Sequence, residues 1–382
     1  MRIRCLQIAL CSVAIMVAWQ ALTVRYSYGG NWTALFCTGE LFPPPPDLKS
    51  ENIYLFPKGS GYDGQFYHYI AHDPFFRRNF AQAIDAPRLR YRRIFVPALA
   101  FALALGQDRA IDFACIAAFA LSVFLGAYWL GRYAVFQGLS AVWGLLFCLV
   151  PAVPISADRL TVDATLAACC TGFALYAHER SGYKLYAVMV AAALTRETGL
   201  LLVAACVLFQ LGIRDFRRAA LLGTAAIPAA CWYLFVQFHT APGGETFISP
   251  ALLAGFIHRI LNPFPYTFGG PVLLIARALD LLALAGIGTG LAWALYRAAR
   301  RAWSPVTVAI WLFAILTSAL SSADAWSDIN AFGRTLTPLV LLSALDGLAI
   351  GSMVPVVAMV ALDPRIGLQL GGQILNVVRG IF

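Results

Sequence analysis

An aspartate among aromatic residues, in the one long polar segment of the chain, is the first candidate for chemistry. Gly61–Tyr67 reads Gly-Tyr-Asp-Gly-Gln-Phe-Tyr, so Asp63 has rings on both sides and a glycine directly after it. A carboxylate can orient or deprotonate a hydroxyl group, glycine permits close backbone approach, and aromatic rings can stack on a sugar. Asp63 is therefore predicted to be a catalytic carboxylate. The alternative is a turn aspartate, the commoner role for Asp before Gly.

Charged residues that interrupt or border apolar runs form a second group of candidates. Ionisable side chains near hydrocarbon are costly and usually face a cavity or a partner. Arginine also matches the geometry of a phosphate group. These positions therefore predict a site for an anionic ligand. The group comprises Arg159, Asp163, Arg196, Glu197 and Arg334.

Simpler interpretations exist for three of these positions. Asp163 follows Arg159 at the i, i+4 spacing of a helical salt bridge. Arg196 can be a helix-end residue whose charged head reaches water. Arg334 can mark a helix start, but a cation there opposes the helix dipole. A carboxylate or ligand partner is therefore expected for Arg334.

The composition predicts a membrane protein. Of 382 residues, 60% are hydrophobic and 12% are charged, against roughly 25% charged in soluble domains. About ten apolar runs approach the ~20 residues that a spanning helix needs. The expected fold class is all-α and polytopic, with about ten or eleven transmembrane helices and a large first extracytoplasmic loop. The net charge of +9 reflects basic residues between apolar runs, so no nucleic-acid partner is expected.

The positive-inside rule orients the chain. The apolar run from Cys5 to about Val24 exceeds the ~7–15 residues of a signal-peptide core, so it is interpreted as a retained first helix. Residues 25–93 then form the extracytoplasmic loop. Residues 94–106 are interpreted as an interfacial or re-entrant helix, because this places the N-terminus and the four later basic breaks together in the cytoplasm.

The whole chain, 1–382, is expected to form a single transmembrane domain. Whether the tail 351–382 crosses the membrane again stays open. The predicted spans after the loop are 110–131, 134–151, 161–177, 183–195, 198–212, 219–237, 271–296, 304–320 and 336–350.

A carboxylate and several arginines at the lipid boundary suit one kind of reaction. A sugar is carried by a phosphate on a membrane-embedded polyprenyl chain, and an acceptor hydroxyl attacks its anomeric carbon. The carboxylate orients or deprotonates this hydroxyl, while arginine stabilises the charge that develops on the leaving phosphate. The expected partners are membrane lipid, a polyprenyl-phosphate sugar and a glycan or lipid acceptor. No nucleotide cofactor is expected, because the donor is lipid-linked.

The order of the motifs resembles a known superfamily. The motifs are Tyr62-Asp-Gly-Gln-Phe-Tyr67 with Asp73-Pro74, Tyr91-Arg-Arg93 before Pro97, Leu194-Thr-Arg-Glu-Thr198, and Gly333-Arg334 before Pro338. With a first helix and a large acidic loop, this order is similar to the GT-C membrane glycosyltransferases, and more closely to a bacterial branch of them.

This resemblance implies an inverting transfer at the outer face of the bacterial inner membrane, with Asp63 as the base that activates the acceptor. It implies that the motif around Asp63 also binds substrate and that four arginines bind the phosphate. The motif residues are Tyr62, Gln65 and Tyr67, and the phosphate candidates are Arg92, Arg93, Arg196 and Arg334.

Two other function classes stay open. A lipid or solute transporter would use the same arginines for an anionic head group and would carry polar residues at the bilayer midplane, where Asp280 and Asp346 are candidates. A non-catalytic partner in envelope assembly is the other. His68 and His72 lie four residues apart, but two histidines are a weak metal signal, so a divalent metal is not expected.

Overall fold

The computed structural model describes residues 2–48, 51–242, 247–267 and 269–382. The predicted loop 25–93 therefore includes two residues, 49–50, that lie outside the described part. The α-helices are α1 (Arg2–Ser27), α2 (Asp63–His72), α3 (Pro87–Arg92), α4 (Phe95–Leu103), α5 (Asp108–Phe136), α6 (Ala152–Arg159), α7 (Asp163–His178), α8 (Gly182–Thr195), α9 (Leu200–Gly212), α10 (Phe216–Gly223), α11 (Ile227–His239), α12 (Ala254–Leu261), α13 (Gly270–Ala299), α14 (Pro305–Ala319), α15 (Ile329–Ala349), α16 (Val354–Val360), α17 (Asp363–Gln369) and α18 (Gly371–Ile381).

Short 3₁₀ helices and one very small sheet complete the described structure. Strands β1 (Thr38–Gly39) and β2 (Leu55–Phe56) pair in parallel, with Thr38 opposite Leu55. The 3₁₀ helices are Trp32–Phe36, Pro46–Leu48, Phe80–Ala83, Ala141–Leu149, Glu197–Gly199, Thr224–Ala226 and Asp324–Trp326. The expectation of an all-α protein is confirmed.

Several helices are long and apolar enough to cross a membrane. Among the described residues these are four: α1, α5, the stretch Phe216–His239 and α13. The number rises to six if two bent helix pairs each count as one span. Three further apolar helices have 10–17 residues, which at 1.5 Å per residue is shorter than a ~30 Å hydrocarbon core. The structure is thus compatible with a multi-pass membrane protein, and the predicted ten or eleven spans stay a prediction.

The two most buried long helices form the centre of the bundle. Every residue of α7 from Asp163 to Tyr176 is buried, and α15 is buried over nearly its whole length. A helix that is apolar on all sides lies inside a bundle, and α7 and α15 pack directly on each other. Asp163 begins α7 and Arg334 lies in the second turn of α15, so this packing brings the two charges to the same end.

The basic breaks between helices gather at the opposite end. Arg2, Arg132 and Arg180 line one cavity, and the Tyr133 hydroxyl donates to the Leu345 carbonyl at 3.1 Å. Near Leu345, Asp346 pairs with Arg297 at 2.9 Å. Arg2 and three of the four basic breaks, those of Arg132, Arg180 and Arg297, therefore lie at this end. That this end is cytoplasmic stays a prediction.

The segment that follows α1 is folded rather than an open loop. All ten residues of α2 are buried, because α4 and α5 pack against the helix and the 3₁₀ turns, α3 and β1 cover the rest of it. Gly64 makes the close approach possible: a Cβ there would lie 2.1 Å from the Arg159 carbonyl oxygen. The glycine after Asp63 was expected to allow the backbone to turn sharply or to approach a ligand closely. In the structure it allows α2 to approach the end of α6 closely.

The remaining predicted segments have clear counterparts. Helix α4 is nine residues long, too short to cross a ~30 Å core on its own; its interfacial placement stays a prediction. The tail folds as α16, α17 and α18, with a bend of 63° before α18. The last helix, α18, contacts the C-terminal end of α1, where the Asn376 side chain donates to the Ser27 hydroxyl at 3.3 Å.

Candidate functional site

Asp63 is held by two arginines from distant parts of the chain. It is the first residue of α2, and its Oδ2 lies 2.6 Å from Arg334 Nη1 and 2.7 Å from Arg90 Nη1. The Asp63 side chain is only 12% exposed. Arg90 also reaches Asp85 at 2.8 Å and lies over the Phe66 ring. Asp63 is therefore a buried, paired carboxylate and not a turn residue facing water.

Arg334 connects Asp63 to a second carboxylate. Its Nη1 also lies 3.2 Å from Asp163 Oδ2, and the other Asp163 oxygen pairs with Arg196. Asp163 is 1% exposed. Arg334 therefore has two carboxylate partners, Asp63 and Asp163, where one partner was expected.

A bidentate pair borders this network. Arg93 donates through Nε and Nη2 to the two oxygens of Glu197, at 2.9 and 2.6 Å. Its remaining Nη1 donates to the Tyr67 hydroxyl at 3.0 Å. Arg196 lies 4.0 Å from Glu197, so this pair is continuous with the Asp163 group. Two parallel hydrogen bonds make it a strong and directional ion pair.

Tyr62 is enclosed by two guanidinium groups. The Arg159 and Arg334 guanidinium carbons lie 4.6 and 4.7 Å from the centre of its ring. Arg159 has weak polar partners: its Nε lies 3.5 Å from Asp158 and its Nη1 lies 3.6 Å from the Cys37 thiol. Among the described residues, the buried Nε atoms of Arg159, Arg196 and Arg334 have no hydrogen-bond acceptor, so each of these guanidinium groups keeps unused donor capacity.

Breaks in the helices place these side chains. Helix α6 ends at Arg159, because Leu160 takes a left-handed conformation with φ of +38°, and α7 starts only at Asp163. A continuous helix would pair Arg159 with Asp163; the break separates them, so the predicted i, i+4 salt bridge does not form. Similarly, Arg196 has an extended backbone between α8 and the following 3₁₀ turn, which turns its side chain to Asp163 and not to a helix surface.

The electrostatics of the cluster favour ionised groups. Burial alone would raise the pKa of the Asp63 carboxyl, but Arg334 and Arg90 outweigh burial and hold this pKa well below its usual range. Four guanidinium groups, those of Arg90, Arg93, Arg196 and Arg334, face three carboxylates, of which Asp63 and Asp163 are buried and Glu197 is 34% exposed. Asp85, at the edge of the cluster, pairs with Arg90 and balances the fourth positive charge.

Two predicted site residues lie outside the network. Gln65 stabilises the segment before α2. Its Oε1 accepts a hydrogen bond from the Gly39 backbone N–H at 3.1 Å, and its Nε2 donates to the Ser60 carbonyl at 2.8 Å. Arg92 lies over the Tyr233 ring, 5.4 Å from its centre. The other predicted residues converge around Asp63: Tyr62, Tyr67, Arg93, Arg159, Asp163, Arg196, Glu197 and Arg334.

Arg90 is the residue that the sequence reasoning missed. Arg92 and Arg93 were predicted to bind phosphate, but their neighbour Arg90 was not. Arg90 lies in α3, and Arg93 is the residue that caps its C-terminus. Both contact α2, Arg90 through Asp63 and Arg93 through the Tyr67 hydroxyl, whereas Arg92 lies over the Tyr233 ring. Positions three apart are neighbours on a helix, so the spacing of Arg90 and Arg93 was a signal that could have found Arg90.

A different face of α2 carries a possible metal site. His68 and His72 lie about 140° and 180° around the helix from Asp63. With Glu51 and Asp112 they form the group of potential ligands found among the described residues. This group is separate from the ion-pair network of Asp63.

No protein family model, curated protein or solved structure matches this chain. The resemblance to GT-C glycosyltransferases thus stays an expectation that rests on the motifs, and the function has to be argued from the site.

Proposed function

We propose that the chain is a membrane glycosyltransferase of GT-C type, in a bundle of about ten or eleven spans. It would transfer a sugar from a polyprenyl-phosphate donor to an acceptor hydroxyl on the extracytoplasmic side of a bacterial inner membrane. One observation supports this most directly: Arg334 lies between Asp63 and Asp163, so a carboxylate and a phosphate-binding group meet in one buried cluster.

The arginines around Tyr62 are the proposed phosphate site. Within the described part of the chain, the buried Nε atoms of Arg159 and Arg334 have no acceptor, and both guanidinium groups lie beside the Tyr62 ring. A phosphate offers several anionic oxygens in the geometry that guanidinium forks bind. The polyprenyl chain would extend into the apolar surface of the bundle, and the Tyr62 and Tyr67 rings would contact the sugar.

Donor binding would also activate Asp63. While Arg334 and Arg90 hold the Asp63 carboxylate, its depressed pKa makes it a weak base. A phosphate that takes the Arg334 guanidinium would remove one of the two pairings, and the pKa of Asp63 would rise toward its ordinary range. The base would then gain strength only when the donor is present.

The proposed reaction inverts the anomeric carbon. The acceptor oxygen attacks that carbon, the bond between the carbon and the phosphate oxygen breaks, and the acceptor proton passes to Asp63. The products are the glycoside and polyprenyl phosphate, whose new negative charge is met by Arg159 and Arg334. Asp163 and Glu197 hold Arg196 and Arg93 in place and do not contact the reacting atoms in this scheme.

The contacts of the two candidate midplane residues, Asp280 and Asp346, give no specific support to the transporter alternative. Asp280 pairs with Arg259 at 2.7 Å and with Arg365 at 2.9 Å. Asp346 pairs with Arg297 at 2.9 Å. Both carboxylates therefore join helices to each other, which is a structural role.

Phosphate recognition can be tested on purified protein with a short-chain polyprenyl phosphate. The control ligand is the matching polyprenol, which has the same chain and no charge. We expect the phosphate to raise the unfolding temperature and the alcohol to leave it unchanged, with the effect reduced in Arg159→Gln. Equal effects of both ligands on the wild-type protein would remove the phosphate site from the proposal.

The base can be tested in a deletion strain. Mass spectrometry of envelope glycans would compare complementation by the wild-type gene, by Asp63→Asn and by Asp47→Asn, an exposed aspartate of the same segment. We expect Asp63→Asn to lose the sugar modification while the protein remains folded in the membrane. Full modification by this variant would exclude Asp63 as the base, and no change on deletion would favour the assembly or transport alternatives.

A further inference from the structure

Four potential metal ligands from three parts of the chain converge on the side of α2 away from Asp63. They are Glu51 between β1 and β2, His68 and His72 of α2, and Asp112 in the second turn of α5. One nitrogen or oxygen atom of each lies within 4.8 Å of the corresponding atom of every other. Both histidines are almost completely buried.

The distances match a four-coordinate ion. His68 Nε2 lies 2.7 Å from Asp112 Oδ1 and 3.1 Å from His72 Nε2, and His72 Nε2 lies 3.7 Å from Glu51 Oε2. Ligands at ~2.0–2.1 Å from a tetrahedral zinc ion are about 3.3–3.4 Å apart. Two of these three distances differ from that value by roughly 0.2–0.4 Å, and the His68–Asp112 distance would have to lengthen by about 0.6–0.7 Å; every other pair lies within 4.8 Å.

The cluster contains more acceptors than protons when both histidines are neutral. His72 Nδ1 donates to Asp108 Oδ1 at 2.9 Å, so His72 Nε2 presents a lone pair to the cluster. His68 Nε2 can carry one proton, which serves either Asp112 or His72 but not both. Glu51 Oε2 is buried and accepts no hydrogen bond from any residue that the structure describes. A cation at the centre would meet the converging atom of each of the four groups, while the buried His68 Nδ1 would keep no acceptor among the described residues.

The surroundings also orient the ligands as a metal site requires. Metal-binding histidines usually donate their second ring N–H to a carboxylate, which is the relation of His72 to Asp108. Arg78 Nη1 holds the other Asp108 oxygen at 2.7 Å. The His68 ring is stacked on Phe36 with centres 3.9 Å apart, which fixes its direction.

We propose that Glu51, His68, His72 and Asp112 bind one zinc ion. Two imidazole nitrogens and two carboxylate oxygens are ligands that zinc accepts, and four protein ligands are typical of a closed structural site. The ion would tie the Glu51 segment and α2 to the start of α5, which secures the helix that begins at Asp63. This revises the expectation from sequence that no divalent metal is bound, and it does not depend on the proposed glycosyltransferase activity.

Metal content of the purified protein tests the proposal. The protein is isolated in detergent with an affinity tag free of histidine, dialysed, and analysed by inductively coupled plasma mass spectrometry. We expect about one zinc per chain in the wild-type protein, the same in the exposed-histidine control His258→Gln, and loss of zinc in His68→Gln/His72→Gln. Zinc at the same level in the double variant, or none in the wild type, would overturn the site.

A second measurement avoids the risk that the double variant does not fold. Wild-type protein is stripped with a chelator and reloaded with Co²⁺, whose visible absorption is strong only in tetrahedral coordination. We expect the tetrahedral bands, and an unfolding temperature that falls on stripping and recovers on adding zinc, because a ligand that binds the folded state stabilises it. Absence of both effects in the wild-type protein would refute the proposal.

Discussion

Gly64→Ala is the most direct test of how α2 is seated. Gly64 follows Asp63 in the first turn of α2, and a Cβ there would lie 2.1 Å from the Arg159 carbonyl oxygen and 3.0 Å from the Phe36 carbonyl oxygen. Non-bonded heavy atoms approach comfortably only to about 3.5 Å. Both obstacles are backbone atoms, so no rotamer change relieves the overlap, and α2 has to move away from α6 by roughly 1 Å.

The movement has two measurable consequences. Overpacking of this kind costs about 1–3 kcal/mol of folding free energy. It also shifts Asp63 relative to Arg334, and a misplacement of about 1 Å in a reacting group can reduce a rate by roughly 10²-fold. The first consequence rests on the fold alone, whereas the second also requires the proposed function.

The assay is thermal unfolding of the purified variants, followed by the envelope-glycan analysis. Gly182→Ala is the matched control, because Gly182 is exposed at the start of α8 and a Cβ there meets no atom within 4 Å. We expect Gly64→Ala to unfold at a lower temperature than wild type and the control to match or exceed it. If Gly64→Ala were as stable as the control, the close contact between α2 and Arg159 would be wrong.

Two further predictions concern the charges of the cluster. Arg93→Lys keeps the charge but loses the two parallel hydrogen bonds to Glu197, so it should lower the free energy of unfolding by about 1.5–3 kcal/mol. The control Arg92→Lys alters the contact with Tyr233 and should lower it by less than about 1 kcal/mol. Equal effects of the two variants in chemical denaturation would contradict the assigned pairing. The depressed pKa of Asp63 means that its ionised form stabilises the fold above about pH 4 and that this contribution is lost as the pH falls further. The unfolding temperature of wild type should therefore drop more steeply below pH 4 than that of Asp63→Asn, and parallel curves would show that Asp63 is not paired in the folded protein.

Much of the helical structure follows from local sequence. The predicted spans 183–195 and 271–296 agree closely with α8 and α13, since long apolar runs favour helix in any low-dielectric environment. The predicted span 134–151 is different: α5 continues to Phe136 and a 3₁₀ helix with a bent continuation follows. Hydrophobicity does not change at such a break, so a pattern of apolar residues does not reveal it.

Charged residues beside apolar runs are visible in the sequence, and their positions were enough to predict most members of the cluster. How these residues pair depends on the tertiary structure. Arg159 and Asp163 stand at helical spacing, yet Asp163 pairs with Arg334, which is 171 residues away in the chain. The spacing of Arg90 and Arg93 indicates that they are neighbours, but the pairing of Arg90 with Asp63 of α2 follows only from the packing of α3 on α2. Within one helix, side chains contact only residues that are close in sequence. A buried charge pairs with an opposite charge that tertiary packing places next to it, and the packing of α2, α7 and α15 depends on the whole chain.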